Sequence, residues 1–308
     1  MAVDFVTIVN SENASNLIIQ ARSFEKFLEQ RSVGTINIII NSFLPDEFYK
    51  YLLTNVVPHY GSLKEQVEIY PVSRFARPHL NCSQDVVGDA ALLLISRLLD
   101  CPFYVAMRPG DHFIRPSRPG DFGDQSSTRS RAARVEARPH ALRKAAASFD
   151  VLSAALPEAG AEFVADQLPF AFSTIEARQL VDTLEAQYQV PLDDIFAKVG
   201  GAIDPIYLYV ASMLRKSTDI REVFKVGPRL ISGLKLEDGA SGVDAWIADA
   251  DKRILANVDV LRDMPADDEV TSKLASFWVS CGLFEDEASA SLAMPRSGAR
   301  PLGAMAAV

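Results

Sequence analysis

The stretch Cys101–Pro116, CPFYVAMRPGDHFIRP, decides the fold class of this chain. Its segment FYVAM is short, apolar and partly β-branched, which is typical of a buried strand. A Pro-Gly turn ends this predicted strand, and Asp111, His112 and Arg115 follow the turn. In a sheet flanked by helices, polar residues just beyond the carboxyl end of a strand lie where ligands usually bind. The stretch therefore predicts both an architecture and the location of a site.

Three strand–helix units precede this stretch. The predicted strands are DFVTIVN (4–10), TINIIINS (35–42) and VEIYPVS (67–73), and amphipathic helical patterns separate them. A run of such units indicates a mainly parallel sheet with helices on both faces. Residues 86–99 are apolar nearly all round, which predicts a buried helix leading into FYVAM. Further helices are expected around 174–190, 206–214 and 271–283, so the C-terminal part is predicted to be mostly helical.

The composition changes after Pro116. Between residues 108 and 144 there are nine basic and four acidic side chains, and residues 117–149 almost lack large apolar residues. This predicts a mobile, Arg-rich insert over 117–149, with a helix in its second half. Beyond it, Ser173 and Glu176 have the spacing of a capping box. One face of the following helix is predicted to consist of Ile175, Leu180, Leu184 and Tyr188. Residues 288–308 have the composition of a disordered tail.

Composition and charge narrow the class of protein. The chain has 308 residues and a net charge of −9, which argues against a general nucleic-acid binder. Cys82, Cys101 and Cys281 form no metal-binding pattern, which favours a reduced, intracellular protein. The N-terminus lacks the features of a secretory signal, and no apolar run is long enough to span a membrane. We therefore expect a cytoplasmic protein, and peripheral contact with a membrane stays open.

The polar residues at the strand ends have competing interpretations. The first predicted strand runs into NSENASN without a glycine, so the dinucleotide-binding and Walker loops are absent. Asn10 and Ser11 could hydrogen-bond a base or ribose, or simply cap the next helix. Asp111 could hold a divalent metal ion or be a turn residue, and His112 could be a general base or a partly buried structural histidine. Arg115 could pair with a phosphate or be solvated.

Several segments together resemble an uncharacterised bacterial family of glycosyltransferase-like proteins with a GT-A-type fold. They are VDFVTIVNSEN, ISRLLDCPFYVAMRPGDHFIRP, LPFAFSTIEARQLVDTLEAQY with IYLYVASM, and SFWVSCGLFED. The resemblance extends in order over much of the chain. It implies a GT-A-like α/β fold and four regions of a single domain: a half-Rossmann nucleotide-binding region (1–116), the insert (117–149), a mostly helical acceptor-side region (150–287) and the tail (288–308).

The resemblance also implies a function and a set of site residues. The donor would be a nucleotide sugar, the acceptor is unknown, and the pathway would be the synthesis of a bacterial polysaccharide or envelope glycan. Mn²⁺ or Mg²⁺ would bind at Asp111, which with His112 would form the catalytic pair. The nucleotide and its phosphates would contact Asn10, Ser11, Arg108 and Arg115. The acceptor side would comprise Ser173, Thr174 and Asp204.

The chain departs from the family pattern where the chemistry is expected. Arg108 occupies the first acidic position of the Asp-x-Asp-like motif, and Pro109 and Gly110 follow where polar residues are usual. The stretch GDAALLLIS replaces one that usually carries Gln and Lys, and Pro205 replaces the usual Glu beside Asp204. Two hypotheses therefore stay open. One is a glycosyltransferase, and the other is a catalytically inactive GT-A-like pseudoenzyme or protein-binding module.

Overall fold

The computed structural model describes residues 2–42, 44–77, 83–124, 129–135, 139–154, 163–164, 168–199, 201–217, 219–227, 230–234, 239–258 and 267–294. Cys82 and the part of the predicted tail beyond Met294 lie outside these ranges. Cys101 and Cys281 are free thiols. Within the described residues, no helix is long and apolar enough to cross a membrane.

Strands and helices alternate in the first part of the chain. They are β1 (Val3–Val9), α1 (Asn16–Phe27), β2 (Val33–Ile40), α2 (Pro45–Asn55), β3 (Val67–Pro71), α3 (Gln84–Leu94), β4 (Phe103–Met107) and β5 (Asp111–Phe113). The middle of the chain contains β6 (Gly123–Asp124), β7 (Arg129–Val135), α4 (Pro139–Val151), β8 (Phe163–Val164) and β9 (Phe170–Ser173). The remaining elements are α5 (Thr174–Tyr188), α6 (Leu192–Val199), α7 (Pro205–Leu214), α8 (Ile220–Val223), β10 (Phe224–Gly227), β11 (Ile231–Gly233), α9 (Gly239–Ala250), β12 (Leu255–Asn257), α10 (Asp268–Ser280) and α11 (Glu287–Leu292).

The central sheet has five strands in the order β3-β2-β1-β4-β9. Strands β1 and β4 pair in parallel, with Asp4 opposite Tyr104 and Thr7 opposite Met107. Strand β9 pairs antiparallel with β4 and closes one edge. All five residues of FYVAM are buried, because a strand inside such a sheet is covered on both faces. The predicted α/β class, with a central mostly parallel sheet flanked by helices, is confirmed.

The chain divides into two compact units, each assembled from three segments. The first unit comprises Met1–Ile8, Tyr70–Met107 and Pro119–Pro228. Its interior contains an aromatic cluster in which the ring centroids of Tyr104 and Phe172 are 5.0 Å apart and those of Phe172 and Tyr209 are 5.1 Å apart. A second sheet of this unit has the order β10-β7-β6, and β8 pairs with β7.

The second unit comprises Val9–Ile69, Arg108–Arg118 and Arg229–Val308. A three-stranded sheet in the order β11-β12-β5 lies in this unit. Its hydrophobic core gathers apolar residues from distant parts of the sequence, including Ile19, Ile114, Trp246 and Trp278. Each unit therefore contains residues from more than one of the four regions that the sequence predicts.

The described residues include parts of the predicted insert and of the predicted tail. Within the predicted insert, β7 forms a strand that pairs in parallel with β10, and α4 is the helix expected in its second half. Since β10 is far away in the sequence, local composition could not reveal this pairing. The predicted tail begins inside α11, where Asp286 caps the helix and Ala290, Ala293 and Met294 are buried in the core of the second unit.

Candidate functional site

The turn after β4 closes on itself through Asp111. The backbone N–H of Asp111 donates to the carbonyl of Arg108 at 3.0 Å, and the Asp111 Oδ2 accepts from the Arg108 N–H at 2.7 Å. Pro109 and Gly110 occupy the middle of this turn, where such residues are favoured. The predicted Pro-Gly turn is therefore confirmed, and Asp111 fixes its shape.

The Asp111 carboxylate is fully buried, with an exposed fraction of 0%. Its Oδ1 accepts from the Asn257 Nδ2 at 2.6 Å and lies 3.5 Å from the Arg108 Nε. Asn257 is in place because β12 pairs antiparallel with β5, which sets it directly opposite Asp111. A buried carboxylate is tolerated only where hydrogen bonds and an opposite charge replace its hydration. Asp111 has both.

Helix α1 holds the same turn from another side. The Gln20 amide donates from Nε2 to the carbonyls of Arg108 and Asp111, at 2.9 Å in each case. One turn further along, the Ser23 hydroxyl accepts from the backbone N–H of Phe113 at 3.0 Å. Gln20 and Ser23 are buried, and their spacing of three places them on one face of the helix. A polar stripe of α1 therefore binds the backbone of the turn.

His112 is fully buried, and its neighbours fix its tautomer. The Trp278 indole N–H donates to the His112 Nε2 at 3.1 Å, and the His112 Nδ1 lies 3.0 Å from the carbonyl of Gly110. An indole nitrogen can only donate, so Nε2 is the acceptor and the proton of the neutral ring is on Nδ1. That proton is donated to Gly110. Accepting a further proton at Nε2 would cost the bond to Trp278.

This geometry bears on the catalytic pair and the metal expected from the sequence. Mn²⁺ and Mg²⁺ need several oxygen lone pairs, whereas Asp111 is surrounded by donors: a backbone N–H, an amide NH₂ and a guanidinium. In the part of the chain that the structure describes, no group of three or more His, Cys, Asp or Glu side chains could hold a metal ion. The residues at this turn do not fit a divalent ion, and the positive charge of Arg108 opposes one.

Two arginines that flank β5 in the sequence are partly exposed. The side chain of Arg108 is 37% exposed, and that of Arg115 is 49% exposed. The Arg115 Nη2 lies 3.5 Å from the Oδ1 of Asp251, whose side chain is 70% exposed. An ion pair this exposed is weak and can exchange partners. Positive charge is therefore accessible here, while the carboxylate and the imidazole are not.

Asn10 and Ser11 follow the carboxyl end of β1. The Asn10 Oδ1 accepts from the backbone N–H groups of Glu12 and Asn13, at 3.0 Å and 3.2 Å. The Asn10 N–H in turn donates to the Asn13 Oδ1 at 2.9 Å. These bonds match the alternative in which Asn10 shapes the turn into the next helix. Ser11 is half-buried in the same turn.

The expected acceptor-side residues Ser173 and Thr174 are buried. The Thr174 hydroxyl donates to the carbonyl of Cys101 at 2.6 Å, and the backbone N–H of Ser173 donates to the Tyr209 hydroxyl at 3.0 Å. Ser173 is the N-cap residue of α5, but its side chain makes no capping hydrogen bond, and Glu176 pairs with Lys216 instead. The predicted capping box is therefore wrong, because a tertiary partner takes the glutamate.

The predicted face of α5 also needs correction. Of the four residues predicted to share one face, Ile175 is 56% exposed and Tyr188 is 40% exposed. The buried residues of α5 are Thr174, Ala177, Leu180, Val181 and Leu184. Leu180 and Leu184 of the predicted face are buried, whereas the small and polar residues Ala177 and Thr174 take the inner positions at the N-terminal end in place of Ile175.

Asp204 belongs to a second polar cluster, in the first unit. Its Oδ1 caps α7 by accepting from the N–H groups of Ile206 and Tyr207, at 2.9 Å and 3.4 Å. Its Oδ2 lies 3.9 Å from the Lys144 Nζ on α4. The cluster includes Asp89 on α3: burial first, and then the Asp204 carboxylate, raise the pKa of Asp89 to about 7, although Lys144 acts in the opposite direction. We refer to Asp89, Lys144 and Asp204 as the α3–α4–α7 cluster.

Sequence reasoning missed several residues that build these two clusters. Gln20, Asn257 and Trp278 hold the turn after β4, and Asp89 lies in a helix whose other residues from Val86 to Leu94 are buried. A polar residue inside such a helix was an available signal for Asp89, because a buried carboxyl group needs a partner. Asn257 offered no such signal, since its role depends on the pairing of β12 with β5.

Comparisons with known proteins return distant structural similarity only. No family model matches the chain, and no curated protein matches it. Among solved structures, mouse xyloside xylosyltransferase 1 in its apo form aligns at 9% identity and TM-score 0.44, covering 87% of this chain and 100% of that one.

Two further solved structures align at 11% identity. The bifunctional glycosyltransferase WbbM has a TM-score of 0.41 and coverage of 84% of this chain and 46% of its own. The galactosyltransferase LgtC, in complex with donor and acceptor sugar analogues, has a TM-score of 0.36 and coverage of 66% and 72%. At these TM-scores and identities, the likeness assigns neither a reaction nor a substrate to this chain.

Proposed function

We propose that this protein is a glycosyltransferase-like protein that binds a nucleotide sugar through arginine side chains, without a divalent ion at Asp111. The observation that carries the proposal is the strand order. The chain runs outward from β1 to β2 and β3 and then returns to place β4 on the other side of β1. Ligands of open α/β sheets bind beyond the carboxyl ends of the two strands at such a reversal. Asn10 and Arg108 follow those two strand ends.

The roles follow from the chemistry that is accessible there. Asn10 and Ser11 would contact the nucleoside, as the sequence suggested. The planar guanidinium groups of Arg108 and Arg115 suit the paired oxygens of a diphosphate. Catalysis would consist of orienting donor and acceptor and stabilising the negative charge of the departing diphosphate. In this proposal Arg108 and Arg115 supply the positive charge that a metal ion would otherwise provide.

Asp111 and His112 take a supporting part in this proposal. Both carboxylate oxygens of Asp111 accept hydrogen bonds from groups of the turn and β12, and His112 joins the same turn to α10. They would position Arg108 rather than touch the substrate. Following the resemblance, we place the protein in the cytoplasm of a bacterium, in the synthesis of a polysaccharide or envelope glycan.

A second candidate function is a pseudoenzyme that retains the fold and has lost the chemistry. The observation that favours it is the burial of Asp111 and His112, at 0% exposure each, with hydrogen bonds to other parts of the protein. Neither group is available as an acid, a base or a metal ligand without rearrangement. The pseudoenzyme would act through its surface on a protein partner.

The experiment is a thermal-shift screen against UDP, GDP, CMP, TDP and their sugars, each with Mn²⁺ and with EDTA. A ligand that binds only the folded state stabilises it by mass action and so raises the melting temperature. At a ligand concentration about a hundredfold above Kd, the free energy of unfolding increases by about 2.7 kcal/mol. We expect one nucleotide class to stabilise the protein equally in Mn²⁺ and EDTA. The shift should disappear in Arg108→Ala and persist in Arg31→Ala, whose side chain is 86% exposed and pairs with Glu29.

The outcomes separate the two candidates. A shift together with hydrolysis or transfer of the donor sugar supports the transferase. A shift without turnover for any donor supports the pseudoenzyme. A shift that needs Mn²⁺ contradicts the metal-free arrangement, and the absence of any shift contradicts nucleotide binding altogether.

A further inference from the structure

We propose that the α3–α4–α7 cluster is a pH-sensitive device, in which loss of a proton from Asp89 weakens the attachment of helix α7 to α3 and α4. The inference is independent of nucleotide binding. It rests on packing within the first unit: α7 packs against both α3 and α4, and the Asp204 carboxylate that caps α7 lies 3.9 Å from the Lys144 ammonium on α4.

Asp204 is the group through which the device would reach α7. Its Oδ1 caps the helix, its Oδ2 faces Lys144, and its backbone N–H donates to the Ser148 hydroxyl at 3.0 Å. That hydroxyl donates to the carbonyl of Lys144 at 2.7 Å. One residue thus links the N-terminus of α7 to α4, and a new negative charge beside it would oppose both its cap and its pairing.

Asp89 supplies that charge. It lies on α3 between Gly88 and Ala90, in a helix whose other residues from Val86 to Leu94 are buried. Its own side chain is half-buried. Burial, followed by the Asp204 carboxylate, raises the pKa of Asp89 to about 7; Lys144 lowers it, and Asp85 raises it slightly.

Charged groups on the other elements packed against α3 have different partners or are exposed. On α5, Arg178 donates to the carbonyls of Ser96 and Leu99. On α6, Asp193 and Asp194 pair with Arg77, and Lys198 is exposed. Elsewhere, Arg97 pairs with Asp182 and Glu185, and Arg74 lies over the Tyr70 ring. The charge balance at Asp89 is therefore set mainly by Asp204 and Lys144.

The sign of the pH dependence follows from the pKa. Because the folded protein holds the Asp89 proton up to pH about 7 while an unfolded aspartate loses it near 3.8, the folded state binds more protons between these values. Asp89 therefore contributes stability at low pH that is lost as the pH rises to about 7. Within that window the folding equilibrium constant falls by about tenfold per pH unit on account of this one group.

The first experiment compares melting temperatures of the wild type and Asp89→Asn from pH 4.5 to 8.5. Asparagine has the shape of the carboxyl group and no charge to lose. We expect the variant to gain stability relative to the wild type as the pH rises to about 7, and the gap to stay constant above it. The control is Asp46→Asn, an exposed acid in the first turn of α2 that does not act on Asp89. A gap for Asp89→Asn that does not widen with pH overturns the inference.

The second experiment tests whether the effect reaches α7. Hydrogen-exchange protection factors, corrected for the intrinsic pH dependence, are measured at pH 6 and pH 8 for the capped amides of Ile206 and Tyr207. Protection should fall several-fold at pH 8 in the wild type and not in Asp89→Asn. The amides of Glu269 and Val270, capped by Asp267 in the same way, should not change. Equal protection of the α7 amides at both pH values in the wild type would contradict a coupling between Asp89 and α7.

Discussion

The turn after β4 and the α3–α4–α7 cluster each place a carboxylate beside a basic side chain, yet they differ in what the carboxylate can do. Asp111 has an exposed fraction of 0%, and its oxygens accept hydrogen bonds from Arg108 and Asn257. Asp89 is half-buried, and a second carboxylate acts on it. The first arrangement stabilises one charge state, whereas the second favours a change of charge. Asp111, in the motif that the sequence singles out, thus has a structural role, whereas Asp89, outside any motif, is the residue that titrates.

The largest effect that would test this contrast is the loss of Asp111. Asp111→Ala leaves the Asn257 amide and the Arg108 backbone without their acceptor in a buried place. We expect a loss of about 2–4 kcal/mol in the free energy of unfolding, measured by urea denaturation. The matched control is Asp251→Ala, which also removes the partner of an arginine at 3.5 Å, but from a side chain 70% exposed. It should change stability by less than about 0.5 kcal/mol. Equal losses of unfolding free energy in the two variants would mean that the buried hydrogen bonds of Asp111 do not stabilise the turn after β4.

The next effect concerns the donor to His112. Trp278→Phe removes the indole N–H and leaves the His112 Nε2 buried without it, so we expect a loss of about 2 kcal/mol. Trp246→Phe is the control, because that indole is also buried but donates to the carbonyl of Ser232 at a longer 3.3 Å. Its loss should be nearer about 1 kcal/mol. If the order of the two variants in urea denaturation were reversed, the tautomer assigned to His112 would be in doubt.

A smaller effect on stability is expected in the α3–α4–α7 cluster, for the loss of Asp204. Asp204→Ala removes the α7 cap at a cost of about 1 kcal/mol at pH 5, where Asp89 is neutral. At pH 8 the same substitution also relieves repulsion with ionised Asp89, so its net cost should be lower. Asp267→Ala, which removes the equivalent cap of α10, should cost the same at both pH values. A cost of Asp204→Ala that is independent of pH would show that the two carboxylates do not interact.

The smallest effect on stability is expected for Lys144→Met. The Lys144 ammonium is 3.9 Å from Asp204 and 30% exposed, so removing it should cost less than about 1 kcal/mol. Because Lys144 lowers the pKa of Asp89, its removal should move the pH at which Asp89 titrates upwards. NMR titration of the Asp89 side-chain carboxyl carbon in both proteins measures this shift. A downward shift would contradict the place given to Lys144 in the cluster.

Much of the fold could be predicted because it depends on local pattern. FYVAM, the strands before it and the long apolar helix are recognisable from runs of apolar residues, and the Pro-Gly turn from its residues alone. The candidate site was located by the same logic, at the end of a strand. The chemistry assigned to it was less secure, since whether Asp111 meets water or Asn257 depends on a strand more than a hundred residues away.

The predictions that failed share this dependence on distant partners. The capping box at Ser173 was plausible by spacing, but Lys216 pairs with Glu176 instead. For the Arg-rich insert, composition predicts a helix in the second half but no strand, because β7 pairs with β10, which is remote in the sequence.

By itself, the sequence determined the alternation of strands and helices up to β4 and the polar turn that follows it, because periodicity and turn chemistry act over a few residues. Only the tertiary structure decided what the polar residues do. It buried Asp111 and His112 among hydrogen-bonding partners, left Arg108 and Arg115 partly exposed, and set Asp89 near Asp204 and Lys144. The physical reason is that the reactivity of an ionisable group is set by its desolvation and by neighbouring charges, and both are contributed by residues remote in the chain.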